Sequence, residues 1–228
     1  MMFPGLADRL GGVRAQIAAH QALRGWSHPV TIVAVTKSHG SEAVQAAYAA
    51  GLTAIGENRV QEALAKQDAL AGLPVEWHLI GGLQRNKARL AVGRFGLIHS
   101  VDRADLGEEL ARRAPPGTRQ AVLVQVNCSS EPQKGGVEPA GLLPLLDALR
   151  GMEPIQVRGL MTLAALSENP ETARTAFQRL RELRDQAEPA GHALPELSMG
   201  MSGDYLVAVE EGATMVRLGT LLFGERAP

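Results

Sequence analysis

Apolar residues along this chain occur in short runs rich in β-branched side chains, and longer amphipathic stretches separate these runs. The run at residues 31–36 is apolar on both faces, which is typical of a strand in a parallel sheet that helices cover. The pattern predicts eight strands, at residues 31–36, 53–56, 76–80, 97–101, 121–127, 157–163, 196–199 and 214–218.

Helical spacing of apolar residues fills the intervals between the strands. It predicts helices at residues 6–23, 42–50 with Ser41 as N-cap, 59–70, 84–92, 104–114, 139–149, 170–188 and 203–211. Eight strands that alternate with helices in a chain of 228 residues indicate an α/β fold, a closed (β/α)8 TIM barrel. An open doubly wound sheet would usually have fewer strands and a Gly-rich dinucleotide-binding loop, which the sequence lacks.

The first predicted helix precedes the first strand, whereas the chain ends at Pro228, soon after the eighth strand. This leaves no room for a full eighth helix after that strand. We therefore expect the N-terminal helix to pack in the gap beside the last strand. Because no linker or low-complexity segment interrupts the pattern, we also expect a single domain over residues 1–228.

The composition limits the range of partners. A net charge of −1 argues against a broad surface for nucleic acid. The single cysteine, Cys128, excludes an internal disulfide and fits a reducing compartment. The first residues lack the features of a signal peptide, and no run approaches the roughly 18 apolar residues of a membrane span. We expect a cytoplasmic, monomeric protein that binds neither nucleic acid nor membranes.

Lysine is rare in this chain, because the 23 basic residues include only four lysines: Lys37, Lys66, Lys87 and Lys134. Lys66 falls in a polar helical pattern and is expected to be an ordinary solvated charge. Lys37 directly follows the first strand, where burial disfavours the charged form and makes the amine a nucleophile towards carbonyls. The alternative is a lysine whose charged end reaches solvent. The bias towards arginine favours the nucleophile, because an imine requires lysine.

Polar residues follow most of the predicted strands, and in a TIM barrel these positions form the functional face. They include Asn58, His78, His99 and Asn127. Each histidine by itself is typical of a hydrogen-bonded core residue. The joint placement of these polar residues at strand ends favours a site instead.

The loops after the seventh and eighth strands predict a phosphate site. Ser202 and Gly203 open a predicted helix, where free backbone N–H groups and the helix dipole favour an anion; ordinary N-capping by Ser202 is the alternative. Gly219 permits close backbone approach, and Thr220 offers a hydroxyl donor. A phosphate site opposite the Lys37 amine fits pyridoxal 5′-phosphate (PLP). It also fits a Schiff-base aldolase that acts on a sugar phosphate.

Arg217 helps to separate these two interpretations. It lies in an otherwise apolar strand, two residues before Gly219, and is expected to point into the barrel mouth. The alternative is an arginine in a structural ion pair. An arginine that faces the pyridine nitrogen of PLP disfavours protonation of that nitrogen and weakens the ring as an electron sink. Such a site suits holding the cofactor better than extensive carbanion chemistry.

Seven sequence blocks extend these observations, at residues 34–37, 56–62, 77–87, 127–136, 159–162, 197–202 and 216–224. On these blocks, the chain resembles the pyridoxal phosphate homeostasis protein family over nearly its whole length. The block Ser198-Met199-Gly200-Met201-Ser202 is the most specific of them.

The resemblance implies a barrel similar to the N-terminal barrel of alanine racemase, with PLP bound covalently as an aldimine on Lys37. It implies that Ser202, Gly219 and Thr220 hold the phosphate. It also implies that Arg217 faces the ring nitrogen and that Asn58 lies near the cofactor. Members of that family are regarded as cofactor-handling proteins without an established catalytic activity.

Two functions remain open, namely holding PLP for intracellular vitamin B6 homeostasis and amino-acid racemisation. Racemisation needs an acid or base on each face of the substrate α-carbon, and alanine racemase takes the second from a tyrosine of its partner subunit. The only tyrosines here, Tyr48 and Tyr205, lie in helical patterns, which favours the first function. We expect no catalytic residue, no metal, PLP as the small-molecule ligand, and transient contacts with PLP-dependent apoenzymes.

Overall fold

Eight parallel strands close into a barrel in the computed structural model, which describes residues 3–129, 131 and 134–224. The strands pair in chain order, and the first pairs with the eighth, where Val33 lies opposite Arg217. They are β1 Thr31–Val35, β2 Ala54–Glu57, β3 Glu76–Leu79, β4 Leu97–Val101, β5 Gln120–Gln125, β6 Ile155–Met161, β7 Glu196–Met201 and β8 Met215–Leu218. The predicted TIM barrel is therefore confirmed.

Helices alternate with the strands on the outside of the barrel. They are α1 Leu6–Arg24, α2 Ser41–Ala49, α3 Val60–Ala69, α4 Ala88–Ala91, α5 Ala104–Arg113, α6 Leu142–Arg150, α7 Pro170–Ala187, α8 Tyr205–Glu210 and α9 Thr220–Phe223. Tight turns of 3-10 helix at Arg85–Lys87 and Pro139–Gly141 precede α4 and α6. Within the described ranges, none of the helices combines the length and the apolar character needed to cross a membrane.

Alternation of side chains along the strands divides the apolar residues into two layers. The outer layer packs beneath the helices. The inner layer fills the barrel with Val33, Ala54, Leu97, Leu123, Met161 and Met215. Because every second residue points to the same side of a strand, His99 shares the inner side with Leu97, and Arg217 shares it with Met215. The barrel interior is thus apolar in one layer and polar in the next.

The N-terminal helix α1 covers the flank of the barrel between α8 and α2. It packs against α8 and α9 and buries an apolar face formed by Leu6, Leu10, Val13 and Ile17. Arg9 Nε donates to the carbonyl of Leu222 in α9 at 2.9 Å. On the opposite side, the Arg14 guanidinium donates to the carbonyl of Gly51, just after α2, at 3.4 Å. The expected position of this helix beside the last strand is confirmed.

The start of α2 differs from the expected one. Ser41 is the first residue of the helix, and Gly40 occupies the N-cap position without a side-chain cap. The carboxylate of Glu42 accepts the Gly40 N–H at 3.0 Å, so a side chain inside the helix satisfies the donor that precedes it. The prediction that Ser41 is the N-cap was wrong for this reason.

Candidate functional site

A cavity of about 570 Å³ opens at the C-terminal ends of the strands, and we call it the mouth cavity. All six candidate ligand-binding residues line it: Lys37, Asn58, Ser202, Arg217, Gly219 and Thr220. They come from the ends of β1 and β2, the loop after β7, β8 itself, and the junction of β8 with the start of α9. The fold therefore brings together positions that are as much as 183 residues apart in the chain (Thr220 minus Lys37).

Lys37 lies in the turn that follows β1, where its side chain is half-buried. Val35, two residues earlier, also lines the mouth cavity, so the alternation of the strand continues to the lysine. The next residue, Ser38, has φ of 65°, which makes it the one non-glycine residue with positive φ among the residues described. Such a conformation costs about 1–3 kcal/mol and needs support from its surroundings.

A buried ion cluster supplies that support from behind the strand. Lys66 Nζ donates to Glu57 Oε1 at 2.6 Å and to the carbonyl of Thr36 at 2.8 Å. The Thr36 hydroxyl donates to the same Glu57 oxygen, and the Ser38 N–H donates to Glu62 Oε1 at 2.7 Å. The residues on both sides of Lys37 are thus held by acidic and basic groups from β2 and α3.

Lys66 is only 6% exposed, and the prediction that it is a solvated charge was wrong. On α3, it shares a buried face with Val60 and Ala63, which precede it by six and three residues. Its partner Glu57 ends a different element, β2, and is fully buried. The i, i+4 pair of Glu62 and Lys66 is visible in the sequence, but that spacing is typical of exposed pairs.

The carboxylate of Glu57 is held in an unfavourable environment. Burial raises its pKa above the ordinary value of 4.5, while hydrogen bonds from Lys66 and Thr36 act in the opposite direction. Its second oxygen, Oε2, is buried and makes no hydrogen bond within the described part of the chain. Lys66 is therefore the group that makes a charged Glu57 tolerable at this position.

Arg217 points into the barrel mouth, as expected, and is 4% exposed. One terminal nitrogen donates to Ser198 Oγ at 2.7 Å, and the other donates to the carbonyl of Thr162 at 2.9 Å. Burial lowers the pKa of Arg217 to about 10, and the negative charge of Asp204 acts against that shift. The guanidinium is still a cation near neutral pH.

The phosphate-site candidates converge from two loops. Gly219 and Thr220 form the junction between β8 and α9, and Ser202 Oγ accepts the N–H of Leu221 at 3.3 Å. The prediction that Ser202 opens a helix was wrong, because α8 begins at Tyr205. Asp204 accepts the Met201 N–H at 2.5 Å and closes a turn at that point instead. The Ser202 hydroxyl is thereby directed towards the start of α9.

Asn58 is placed by an unusually close backbone contact. A Cβ atom at Gly81 would lie 2.2 Å from the carbonyl oxygen of Asn58, so only glycine permits the loop after β3 to approach so closely. Gly81 and Gly82 both line the mouth cavity next to Asn58. Glycine at position 81 therefore has a structural reason, because it lets the loop after β3 reach Asn58.

Three of the other polar residues at strand ends do not line the mouth cavity. His78 and His99 are buried inside the barrel, where His78 Nδ1 and His99 Nε2 are 3.0 Å apart. Asn127 instead organises its own loop and donates to the Glu138 carboxylate at 3.2 Å. The expectation that these residues join the site was wrong, and the core interpretation of the two histidines was right.

Four polar residues that the sequence did not assign to the site also line the cavity: His39, Asp102, Gln125 and Lys134. Asp102 and Gln125 occupy the ends of β4 and β5, so the strand-end rule would have found them if it had been applied to every strand. Among the described residues, no three His, Cys, Asp or Glu side chains are grouped as a metal site requires.

Comparison with known proteins agrees with this geometry. The family profile described as the N-terminal domain of alanine racemase matches residues 14–227. A pyridoxal phosphate homeostasis protein of Aquifex aeolicus is 47% identical over 223 residues, which are 96% of this chain and 97% of that protein. The chain belongs to the pyridoxal phosphate homeostasis protein family.

Solved structures add the fold and a ligand-bound relative. PipY of Synechococcus elongatus PCC7942, solved with PLP bound, is 42% identical, with a TM-score of 0.83 over 96% of this chain and 100% of that one. An alanine racemase of Clostridium difficile 630 is 16% identical, with a TM-score of 0.76 over 97% of this chain and 58% of that one. At that identity the racemase shows a shared fold alone, which confirms the expected likeness to its barrel.

Proposed function

We propose that this protein binds PLP in the mouth cavity as an aldimine on Lys37, and that it serves PLP homeostasis without catalytic turnover. The observation that carries the proposal is that six candidate residues from separate parts of the chain line one cavity. An amine, two hydroxyl donors and a guanidinium match the aldehyde, the phosphate and the ring nitrogen of PLP. The relative PipY, solved with PLP bound, supports the choice of ligand.

The residues present fit PLP in size and in chemistry. The mouth cavity, at about 570 Å³, falls within the range of about 300–1,000 Å³ that is usual for small-molecule sites. We assign the phosphate to Ser202, Gly219 and Thr220, and the ring nitrogen to Arg217. Bound PLP would supply a reactive aldehyde and an electron-withdrawing ring. Arg217, as a permanent donor, keeps the ring nitrogen unprotonated and limits that electron withdrawal.

The racemase alternative requires a second acid or base such as the tyrosine of alanine racemase, and no tyrosine is among the described residues that line the mouth cavity. The Tyr205 hydroxyl donates to Gln16 of α1, on the outside of the barrel, and Tyr48 lies in α2. The relative from Aquifex aeolicus is named a homeostasis protein, which supports a carrier over an enzyme.

We further propose that the protein acts as a monomer with a single domain and passes PLP to apoenzymes by transient contact. In the described part of the chain, the exposed large apolar side chains lie on different elements: Leu23, Tyr48, Leu143, Leu166 and Met201. Side chains scattered in this way do not form the contiguous apolar patch of a stable dimer. The cytoplasmic location expected from the sequence stays a prediction.

An absorbance spectrum tests the binding proposal. The purified protein with added PLP should show an aldimine band that is absent in Lys37→Ala and present in Lys87→Ala, a lysine away from the cavity. After borohydride reduction, mass spectrometry should find the added mass on the peptide that contains Lys37. A protein that shows no aldimine band after incubation with PLP and removal of the unbound PLP would overturn the proposed function.

Hydrogen exchange at the α-carbon separates a carrier from an enzyme. The PLP-loaded protein is incubated with a panel of L-amino acids in deuterated water. We expect no steady deuterium incorporation and no D-enantiomer. Sustained turnover with any of these amino acids would establish a catalyst and refute the carrier role.

A further inference from the structure

A line of polar side chains crosses the barrel interior below Arg217. Arg217 contacts Ser198 Oγ at 2.7 Å, and Ser198 Oγ lies 2.9 Å from His99 Nδ1. His99 Nε2 lies 3.0 Å from His78 Nδ1. We call Ser198, His99 and His78 the barrel relay. The three side chains are buried, and none of them lines the mouth cavity.

The chemistry of these groups gives the relay one direction. Arginine has no acceptor atom, so Ser198 must accept from Arg217. The single proton of the Ser198 hydroxyl is then available for His99 Nδ1. A neutral His99 that accepts at Nδ1 carries its proton on Nε2 and donates it to His78 Nδ1. By the same logic, His78 carries its own proton on Nε2.

The opposite direction leaves groups unsatisfied. If His78 donated to His99 and His99 donated to Ser198, the serine oxygen would accept twice. Its own proton would then have no acceptor among the hydrogen bonds described. The lone pair of His78 Nε2 would also face Glu76 Oε2, which lies 3.6 Å away. An acceptor that faces a carboxylate is repelled, whereas an N–H is attracted.

Electrostatics agrees with a neutral His99 ring. Burial, with the nearby His78 and Arg217, holds the pKa of His99 well below its ordinary value of 6.5. The attraction to His78 is the largest cause that lowers the pKa of Glu76. Glu76 is half exposed at the start of β3, so the relay runs from the mouth of the barrel towards its opposite end.

We propose that Ser198, His99 and His78 are positioning residues, which fix the Arg217 guanidinium as a donor to the ring nitrogen of bound PLP. This role rests on the proposed function. The Ser198 hydroxyl donates its hydrogen bond to His99 Nδ1. A lone pair of the serine oxygen therefore points at Arg217, and the hydroxyl hydrogen cannot turn towards the cation. With the Thr162 carbonyl as a second acceptor, the planar guanidinium is held in one orientation.

The first test uses the protein without PLP, so it does not depend on the proposed function. Long-range proton–nitrogen NMR spectra of the 15N-labelled protein assign the tautomers of His78 and His99. We expect His99 to be neutral and protonated on Nε2, with nitrogen shifts that do not change between pH 8 and pH 5.5, and we expect His78 to accept at Nδ1 and carry its proton on Nε2. A proton on Nδ1 of His99, or protonation of His99 in that range, would refute the relay.

The second test asks whether the relay acts on bound PLP. His99→Leu removes both the acceptor and the donor, whereas His99→Gln retains one of each. We expect His99→Leu and Ser198→Ala to shift the absorbance maximum of bound PLP and to speed its dissociation about tenfold, and His99→Gln to restore both values. His192→Leu, which alters a histidine on the outside of the barrel, is the matched control.

The outcomes separate this role from the proposed function. If His99→Leu and Ser198→Ala match His192→Leu in both measurements, the positioning role is wrong although PLP binds. If His99→Leu does not fold, Ser198→Ala and His99→Gln still decide the matter. If the wild-type protein takes up no PLP, the proposed function fails together with the positioning role, while the tautomers still test the relay itself.

Discussion

The ammonium of Lys66 lies 2.6 Å from Glu57 Oε1, directly behind the strand end that presents Lys37. Both charges are removed from solvent, and Lys66 also donates to the Thr36 carbonyl. A buried pair of this kind adds little net stability compared with apolar residues, but the loss of one partner is costly. The pair therefore serves chiefly to hold the turn around Lys37.

Replacement of Lys66 should destabilise the folded protein. Lys66→Met leaves Glu57 buried without its cation, and we expect the free energy of unfolding to fall by about 3 kcal/mol. Urea denaturation followed by circular dichroism measures the change. Lys87→Met serves as the control for loss of a lysine. Equal stability of the two variants would show that the pair does not support the fold.

The effect of Lys66→Met should depend on pH. Without Lys66, the pKa of Glu57 in the folded protein lies further above its ordinary value of 4.5, because burial then acts with less opposition. The folded state then binds more protons than the unfolded state, so lowering the pH towards 4.5 stabilises the variant. We expect the difference in unfolding free energy between the wild type and this variant to become smaller as the pH is lowered from 8 to 5. A difference that grows as the pH is lowered would contradict a raised pKa of Glu57 in the variant.

Removal of two hydroxyl donors should weaken the binding of the PLP phosphate group. Ser202→Ala with Thr220→Val takes away two charge-assisted hydrogen bonds, and we expect PLP to dissociate about 100-fold faster. Absorbance during dilution into a PLP-scavenging apoenzyme gives the rate. Ser167→Ala with Thr175→Val makes the same changes near the start of α7, outside the cavity. Unchanged retention in the first variant would remove the phosphate assignment.

Cys128 should behave as an inert thiol. Burial raises its pKa to about 11, so the reactive thiolate is scarce at pH 8. We expect alkylation by iodoacetamide at pH 8 to be about 100-fold slower than that of a free cysteine, with a rate that rises up to about pH 11. Because the chain has a single cysteine, whole-protein mass spectrometry reads the rate directly. Alkylation at the rate of a free thiol would contradict the burial of Cys128.

The N-terminal helix should be an integral part of the barrel. Leu10 is 2% exposed on α1, and Leu10→Ala should cost about 3 kcal/mol of unfolding free energy. Leu23→Ala, at a position in the same helix that is 74% exposed, should cost less than about 0.5 kcal/mol. Thermal and urea unfolding of both variants measure the difference. Similar small losses would mean that α1 is only loosely docked.

The barrel and the six candidate residues at its mouth were predictable because they follow from position along a strand. Alternation and strand count determine which ends face the cavity, so Lys37 and Arg217 were found from the sequence. Lys66 was missed because its environment depends on Glu57, which belongs to another element. The prediction that Ser202 opens a helix was wrong because Asp204 closes a turn that local spacing does not reveal.

The two histidines show the same limit in another form. His78 and His99 are each typical of core residues, although their joint placement at strand ends favoured a site. Their contact joins β3 to β4 and continues to Ser198 on β7. No periodicity in the sequence relates these three positions. Such hydrogen-bond chains depend on how strands are staggered around the barrel, and the stagger is a property of the closed sheet.

Closure of the barrel between β1 and β8 has a consequence for biosynthesis. The amine of Lys37 emerges from the ribosome early, whereas Thr220 and Leu222 are among the last of the described residues to follow. Arg9 of α1 donates to Leu222, a partner 213 positions later. A nascent chain therefore carries its lysine long before the proposed phosphate site forms. Capture of PLP at the proposed site would report that synthesis has passed the eighth strand.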